Sequence, residues 1–360
     1  MLAIAARTGS TQPTIVEVAA PRAPLAGEVL CRTLQLGICG TDREILHSAN
    51  PWTPPGDDFL VLGHECLARI EAVGAGVTEY RPGDLVVPAV RRAKPGRTRR
   101  LDYLPLGAFT ERGIWSEHGF SQSTWLDQPE HLYRVPAGIE DLAVLAEPLA
   151  VAEKGANEAH TLQAARLGEH VWDDEPPRVL VTGMGPIGFA GVLACRARGW
   201  PVTMYGRDAE DTFRAKLARD LGAEYVPHER MRFEPENVEE AGVDLVLECT
   251  GSDEVMLAAS QNLRSCGIMV WLGSTRLPRA KSHNVEKLMR DGLIRNHLHV
   301  GCVNAAPRDF RAALAHLSEI NRSHPSELAA LITARVRPEE SLWHYEHRQE
   351  QGIKTVLMYE

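Results

Sequence analysis

The segment Gly183-Met184-Gly185-Pro186-Ile187-Gly188 constrains the fold of this chain more than any other. It follows the apolar run Val179-Leu180-Val181 and precedes residues 189–195, whose apolar spacing is helical. A strand, a tight glycine turn and a helix in that order open a βα unit. In that setting the glycines let the backbone approach a pyrophosphate, and the free N–H groups of the helix start meet its charge. Gly183, Gly185, Pro186, Ile187 and Gly188 are therefore expected to hold a dinucleotide.

What surrounds the turn supports a doubly wound sheet. Apolar strands are expected at 179–182, 202–205, 243–248 and 268–272, with helical stretches between them. Alternating strands and helices imply parallel pairing. The first 155 residues differ, with many Gly and Pro and short β-branched runs such as 14–18, 28–34 and 84–87. Residues 68–73 alternate as a half-buried strand would. This part reads as an irregular β domain. The polar stretch 172–177 reads as a connection. After Asn304 come one helix (309–320) and a strand-like piece (355–358), which are expected to rejoin the first domain. The organisation is thus an α/β chain with an irregular β domain at 1–155, a doubly wound domain at 156–303 and a return at 304–360.

Composition narrows the function classes. A hydrophobic fraction of 44% suits a soluble globular chain, and a net charge of -9 argues against a nucleic-acid partner. Residues 91–100 hold six basic side chains and run against that sign; a solvated loop is the expected reading. No apolar stretch reaches the ~18–20 residues that span a bilayer, and no signal peptide is evident. Seven cysteines without a Cys-x-x-Cys pair fit free thiols in a reducing cytoplasm.

Cys39, His64, Glu65 and Glu147 lie upstream of the glycine turn in Gly37-Ile38-Cys39-Gly40-Thr41-Asp42, Gly63-His64-Glu65 and Ala146-Glu147-Pro148. A thiolate, an imidazole and carboxylates are the ligand types that hold a catalytic Zn²⁺ with one position open. A Lewis-acid metal and a dinucleotide together imply hydride transfer between an alcohol and a nicotinamide. Asp42 would orient the imidazole; otherwise it is a turn residue. Thr41 would relay the substrate proton, with Glu65 or Glu44 as other routes; otherwise it caps a helix. At the end of the second strand the chain reads Tyr205-Gly206-Arg207-Asp208. Arg207 in place of an acid favours NADP over NAD. Asp208 would cap the next helix or serve NAD. Thr250 and Gly273, after the later strands, are further cofactor candidates.

These residues resemble the zinc-dependent medium-chain dehydrogenase/reductase superfamily over nearly the whole chain, and within it the archaeal-type glucose 1-dehydrogenases. The likeness rests on residues 37–45, Leu62-Gly63-His64-Glu65, Glu111-Arg112-Gly113-Ile114, His118-Gly119-Phe120, the block 147–154 and Val303-Asn304. It implies a GroES-like catalytic domain with a Rossmann domain. It implies one zinc on Cys39 and His64, with Glu147 or Glu65 as a further ligand. It also implies substrate contacts by Thr41, Glu111, Glu147 and Asn304, the last beside the nicotinamide, and a homo-oligomer, dimer or tetramer. The segment between Pro88 and Glu111 has no cysteine, so the four-cysteine structural zinc of many relatives cannot form, and Ala68 stands where the superfamily has glycine. Glucose-oxidising relatives carry Asn and His where this chain has Val90 and Trp115. Fewer polar partners widen the expected substrates from aldoses to polyols, amino sugars and cyclitols. Trp115 could stack on a sugar face or pack in the core. A non-catalytic dinucleotide sensor is the remaining alternative.

Overall fold

The computed structural model describes residues 1–96, 100–274, 282–283 and 285–359. The chain forms two compact units. The first comprises Met1–Glu147, Asn304–Asn321 and Leu331–Glu360; the second comprises Pro148–Val303 and Arg322–Ala330.

In the first unit the strand Val29–Gly37 organises the larger sheet. Its buried and half-buried residues alternate until Leu36, and it pairs antiparallel with Glu65–Val73, Thr124–Asp127 and Lys354–Met358. Leu85–Pro88, Leu132–Arg134 and Ile332–Val336 extend this sheet to seven described strands. The strand expected at 68–73 starts three residues earlier, and it is buried continuously from Glu65 to Ala68. The core beneath gathers Leu36, Ile45, Leu60, Ile70, Phe120 and Trp125.

Register positions the chemistry. Gly37 sits opposite both Glu65 and Val356, so Ile38 and Cys39 leave the sheet between Glu65 and Lys354. A Cβ on Gly37 would lie 2.2 Å from Glu65 Oε2, so only glycine fits beside that carboxylate. The helix Gly40–His47 begins immediately after, capped by Cys39 in extended conformation.

The second unit holds a six-stranded parallel sheet in the order Glu224–Pro227, Val202–Gly206, Val179–Thr182, Val243–Glu248, Leu263–Trp271, Leu298–Gly301. Numbered by occurrence this is 3-2-1-4-5-6, the dinucleotide-binding order, with the crevice at the end of Val179–Thr182 where the order reverses. Leu180, Val246, Leu263 and Met269 pack on one another at its centre. Among the described residues no helix is long and apolar enough to cross a membrane.

Candidate metal centre and dinucleotide site

Cys39, His64 and Glu65 each present a ligand atom within 4.8 Å of the others, the only such group of three or more among the described residues. His64 and Glu65 are 3% and 1% exposed. Zinc bonds of ~2.0–2.3 Å put neighbouring tetrahedral ligands under 4 Å apart, so small side-chain movements close this set on a metal. Two further observations fit. Glu65 Oε1 is buried with no hydrogen-bond partner. Asp42 Oδ1 lies 3.5 Å from His64 Nδ1, which leaves Nε2 for a metal.

Asp42 has two tasks. Its Oδ2 accepts the Cys39 N–H at 2.8 Å while Oδ1 faces the imidazole, so one buried carboxylate ties together the residues carrying two ligands. Burial alone would push the His64 pKa down, but Asp42 and Cys39 hold it well above its ordinary value. Metal must therefore displace a proton there. Thr41 does not cap the helix, as the plainer sequence reading had it; Cys39 does.

Lys354, which the sequence did not mark, completes the centre. Its ammonium is 1% exposed, 2.5 Å from Glu65 Oε2, and also donates to the Ile38 carbonyl at 3.3 Å. A buried carboxylate needs such a partner. Glu147 lies outside the three-ligand group. Burial pushes its carboxyl up to about 7, with the His64 and Lys354 charges opposing and the Glu65 charge adding. A carboxyl raised above its ordinary 4.5 favours the fold while protonated, so that stability is lost as pH rises from about 4.5 to 7. Protein stripped of metal should lose on the order of 3 kcal/mol from this group across that window. Calorimetry in chelator at pH 5 and 7.5 checks it; an equal loss in Glu147→Gln would assign the slope elsewhere.

Glu111 and Asn304, which the resemblance assigns to the substrate, come together. Asn304 Nδ2 donates to Glu111 Oε1 at 3.0 Å, and Asn304 adopts φ +62°, a conformation asparagine tolerates well. The basic run also departs from the solvated-loop expectation. Arg91 and Arg92 are 4% and 8% exposed, paired with Glu111 and Asp127 at 2.9 and 2.5 Å. Arg97, Thr98 and Arg99 lie outside the described residues. Val90 is buried. Trp115 neither faces solvent freely nor sits in the core: it stacks on Trp52 with centroids 4.1 Å apart, and Trp52, unmarked in the sequence, is 40% exposed.

In the second unit the glycine turn has the expected shape. Gly183 has φ +95°, and a Cβ on Gly188 would lie 1.9 Å from the Gly183 carbonyl oxygen. A Cβ on Gly185 would meet nothing within 4 Å, and no side chain caps the helix Pro186–Ala197 that follows. Free N–H groups thus point from an uncapped helix start beside open space. Across the crevice Glu248, also missed, accepts from the N–H groups of Thr250 and Gly251 and from the Thr250 and Thr182 hydroxyls. Gly273 packs against this turn, where a Cβ would come within 2.3 Å of the Gly251 nitrogen. Asp208 does not cap the next helix. Thr212 does, while Asp208 receives both Nε and Nη2 of Arg214 at 2.7 and 2.6 Å. Gly206 cannot be replaced by an acid without moving Met184, whose sulfur would be 2.3 Å from the new Cβ. Arg207 is exposed.

Comparison with known proteins decides the family. The model for "Glucose dehydrogenase C-terminus" matches residues 140–359, and that for "Alcohol dehydrogenase GroES-like domain" matches residues 25–136. The chain belongs to the glucose dehydrogenase family. It is 36% identical to glucose 1-dehydrogenase of Thermoproteus tenax over 347 residues, covering 95% of this chain and 94% of that protein. Identity to glucose 1-dehydrogenase 1 of Caldivirga maquilingensis is also 36%, with 93% and 92% covered. The glucose dehydrogenase of Haloferax mediterranei, solved in complex with NADP, Zn and gluconolactone, superposes with a TM-score of 0.86 at 27% identity, covering 100% of this chain and 99% of that one. In this glucose dehydrogenase family member the fold is GroES-like in the first unit and Rossmann in the second. The block 147–154 divides between them. Glu153, fully buried, pairs with Arg198 at 2.7 Å, and Lys154 donates to the Val303 carbonyl at 2.8 Å.

Proposed function

We propose that this chain is a zinc-dependent dehydrogenase that takes hydride from the hydroxyl-bearing anomeric carbon of a sugar ring, aldose to lactone, with NADP preferred over NAD. The carrying observation is the Cys39–His64–Glu65 group, half-buried at Cys39 and buried at the other two, in the same unit as the Glu111–Asn304 pair. When bound, zinc supplies the Lewis acidity that makes a hydroxyl acidic, and the nicotinamide accepts the hydride. The protein's share is positional. Cys39 and His64 hold the metal, with Glu65 or Glu147 as a third ligand, and Asp42 orients the imidazole. Glu111 and Asn304 engage substrate hydroxyls. The proton leaves through Thr41, Glu65 or Glu44. In the second unit the 183–188 turn, Thr250 and Gly273 line the cofactor crevice.

In this reading residues 1–155 and 304–360 carry catalysis and 156–303 carry the dinucleotide. The relatives named glucose 1-dehydrogenase and the Haloferax complex support the substrate class and the cofactor. A cofactor-reduction screen over aldoses and polyols tests it; turnover of ethanol ahead of every ring substrate would sink the sugar reading. A polyol, amino sugar or cyclitol is the second reading, favoured by the apolar Val90 and by a Trp115 face already covered by Trp52. A homo-oligomer, dimer or tetramer, belongs to the proposal. Met289, Leu293 and Ile294 of the helix Glu286–Ile294 are 64–80% exposed, apolar side chains that a second protomer would cover. Seven free cysteines support a cytoplasmic setting.

The NADP preference has its own test. Asp208 is committed to Arg214, an acid at Gly206 would have to displace Met184, and Arg207 can grip a phosphate bidentately but gains little from a bare 2′-hydroxyl. Arg207→Ala should raise KM for NADP by about tenfold or more and KM for NAD by less than about threefold. Equal changes would show that Arg207 does not read the ribose.

A further inference from the structure

Two hydrogen bonds and one ion-pair contact converge on one oxygen of Glu111. Arg91 Nε reaches Oε1 at 3.0 Å, Arg91 Nη2 at 2.9 Å, and Asn304 Nδ2 at 3.0 Å. A carboxylate oxygen accepts in about two lone-pair directions, so Oε1 is saturated. Oε2 has no hydrogen-bond partner among the described residues, yet it is not one of the sealed, unpaired buried atoms. The carboxylate is thus held asymmetrically, one oxygen tied down and the other presented.

Arg91 can do this because it is itself fixed on every side. It stands directly opposite Glu111 in the antiparallel pairing of Arg91–Ala93 with Phe109–Arg112. Its Nη1 donates to the carbonyls of Asp102 and Leu101 at 3.2 and 3.4 Å. Its guanidinium carbon lies 3.8 Å from the centroid of Phe109. A carboxylate ahead, two carbonyls behind and an aromatic face against the guanidinium match the planar fork of arginine. A lysine, with one compact ammonium on a flexible stem, could satisfy only part of that.

The geometry points to Arg91 as the positioning residue that makes Oε2 of Glu111 the acceptor for a ring hydroxyl, and so as a determinant of substrate choice acting through Glu111. This deepens the sugar-dehydrogenase reading and rests on its assignment of Glu111 to the substrate. It also gives the cysteine-free segment between Pro88 and Glu111 a definite task. The turn Leu101–Tyr103 braces the arginine that braces the carboxylate.

The test is a double-mutant cycle on the zinc-loaded enzyme, read as KM and kcat with D-glucose and with the best ring substrate of the screen. Arg91→Met should raise KM about tenfold or more while kcat changes less than about threefold, because a hydroxyl contact is lost and not the reacting centre. Arg91→Lys should recover part of that KM and guards against a methionine variant that folds poorly. On a Glu111→Gln background Arg91→Met should add less than about twofold, since its effect runs through the carboxylate. Full additivity, or a kcat loss with KM unchanged, would overturn the inference while leaving the Glu111 assignment standing. If Glu111→Gln alone leaves the ring-substrate KM unchanged, the assignment of Glu111 falls, and this inference with it.

Discussion

Cys39→Ser should leave a folded protein that has lost its zinc and at least about a thousandfold of its turnover. The thiolate is the softest donor in the three-ligand group, and a serine hydroxyl, protonated at neutral pH, replaces it poorly. Core packing is not at stake, because Cys39 is only half-buried at the helix start, and the core beneath is built from Ile45, Leu60 and Phe120. Metal analysis of the wild type should return one zinc per chain. Two per chain, or none after supplementation, would refute the single centre. Wild-type turnover by the serine variant would remove Cys39 from it. Circular dichroism on the same variant separates loss of metal from loss of fold.

Lys354→Met should cost about 3–5 kcal/mol of stability, because it leaves the Glu65 carboxylate buried without a counter-charge. The remaining oxygen cannot compensate, being already sealed and unpaired. For a domain of this size the loss corresponds to a fall of roughly 10 °C in melting temperature. The double variant Lys354→Met with Glu65→Gln should recover much of it, since the uncompensated charge is gone even though a polar group stays buried. Saturating zinc should recover part in the single variant by giving Glu65 another cation. A single variant as stable as the wild type in chelator would show that the pair contributes nothing to the fold.

The residues missed in the sequence have one physical cause in common. Cys39, His64 and Glu65 were legible because the first and the pair that follows sit in short motifs whose residue types suit a metal by themselves. The glycine turn was legible because its strand and helix flank it directly. Lys354 gave no local signal: it lies 289 residues from Glu65, and one lysine in a strand-like run looks like an edge residue. Arg91 and Arg92 looked like part of a solvated basic loop because charge runs usually are. Only the register that sets Arg91 opposite Glu111 turns one of them into a buried partner. Glu248 likewise reads as the end of an apolar strand until the turn around Thr250 closes on it. The metal group was therefore legible where its own chemistry is local, and its counter-charges were not.

The Glu65–Lys354 pair also sets an order of events in synthesis. Glu65 and the strand that carries it are made early, but the strand Lys354–Met358 that neutralises it follows only after the whole parallel sheet has been translated. Until then Glu65 lacks its lysine, and the Gln35–Gly37 end of the strand Val29–Gly37 is unpaired on one edge. The nucleotide-binding unit, contiguous between Pro148 and Val303 but for one short return, can close first, while the metal centre waits for its far partner. A fragment ending at Glu147 would carry every proposed zinc ligand but not the lysine that pairs with Glu65.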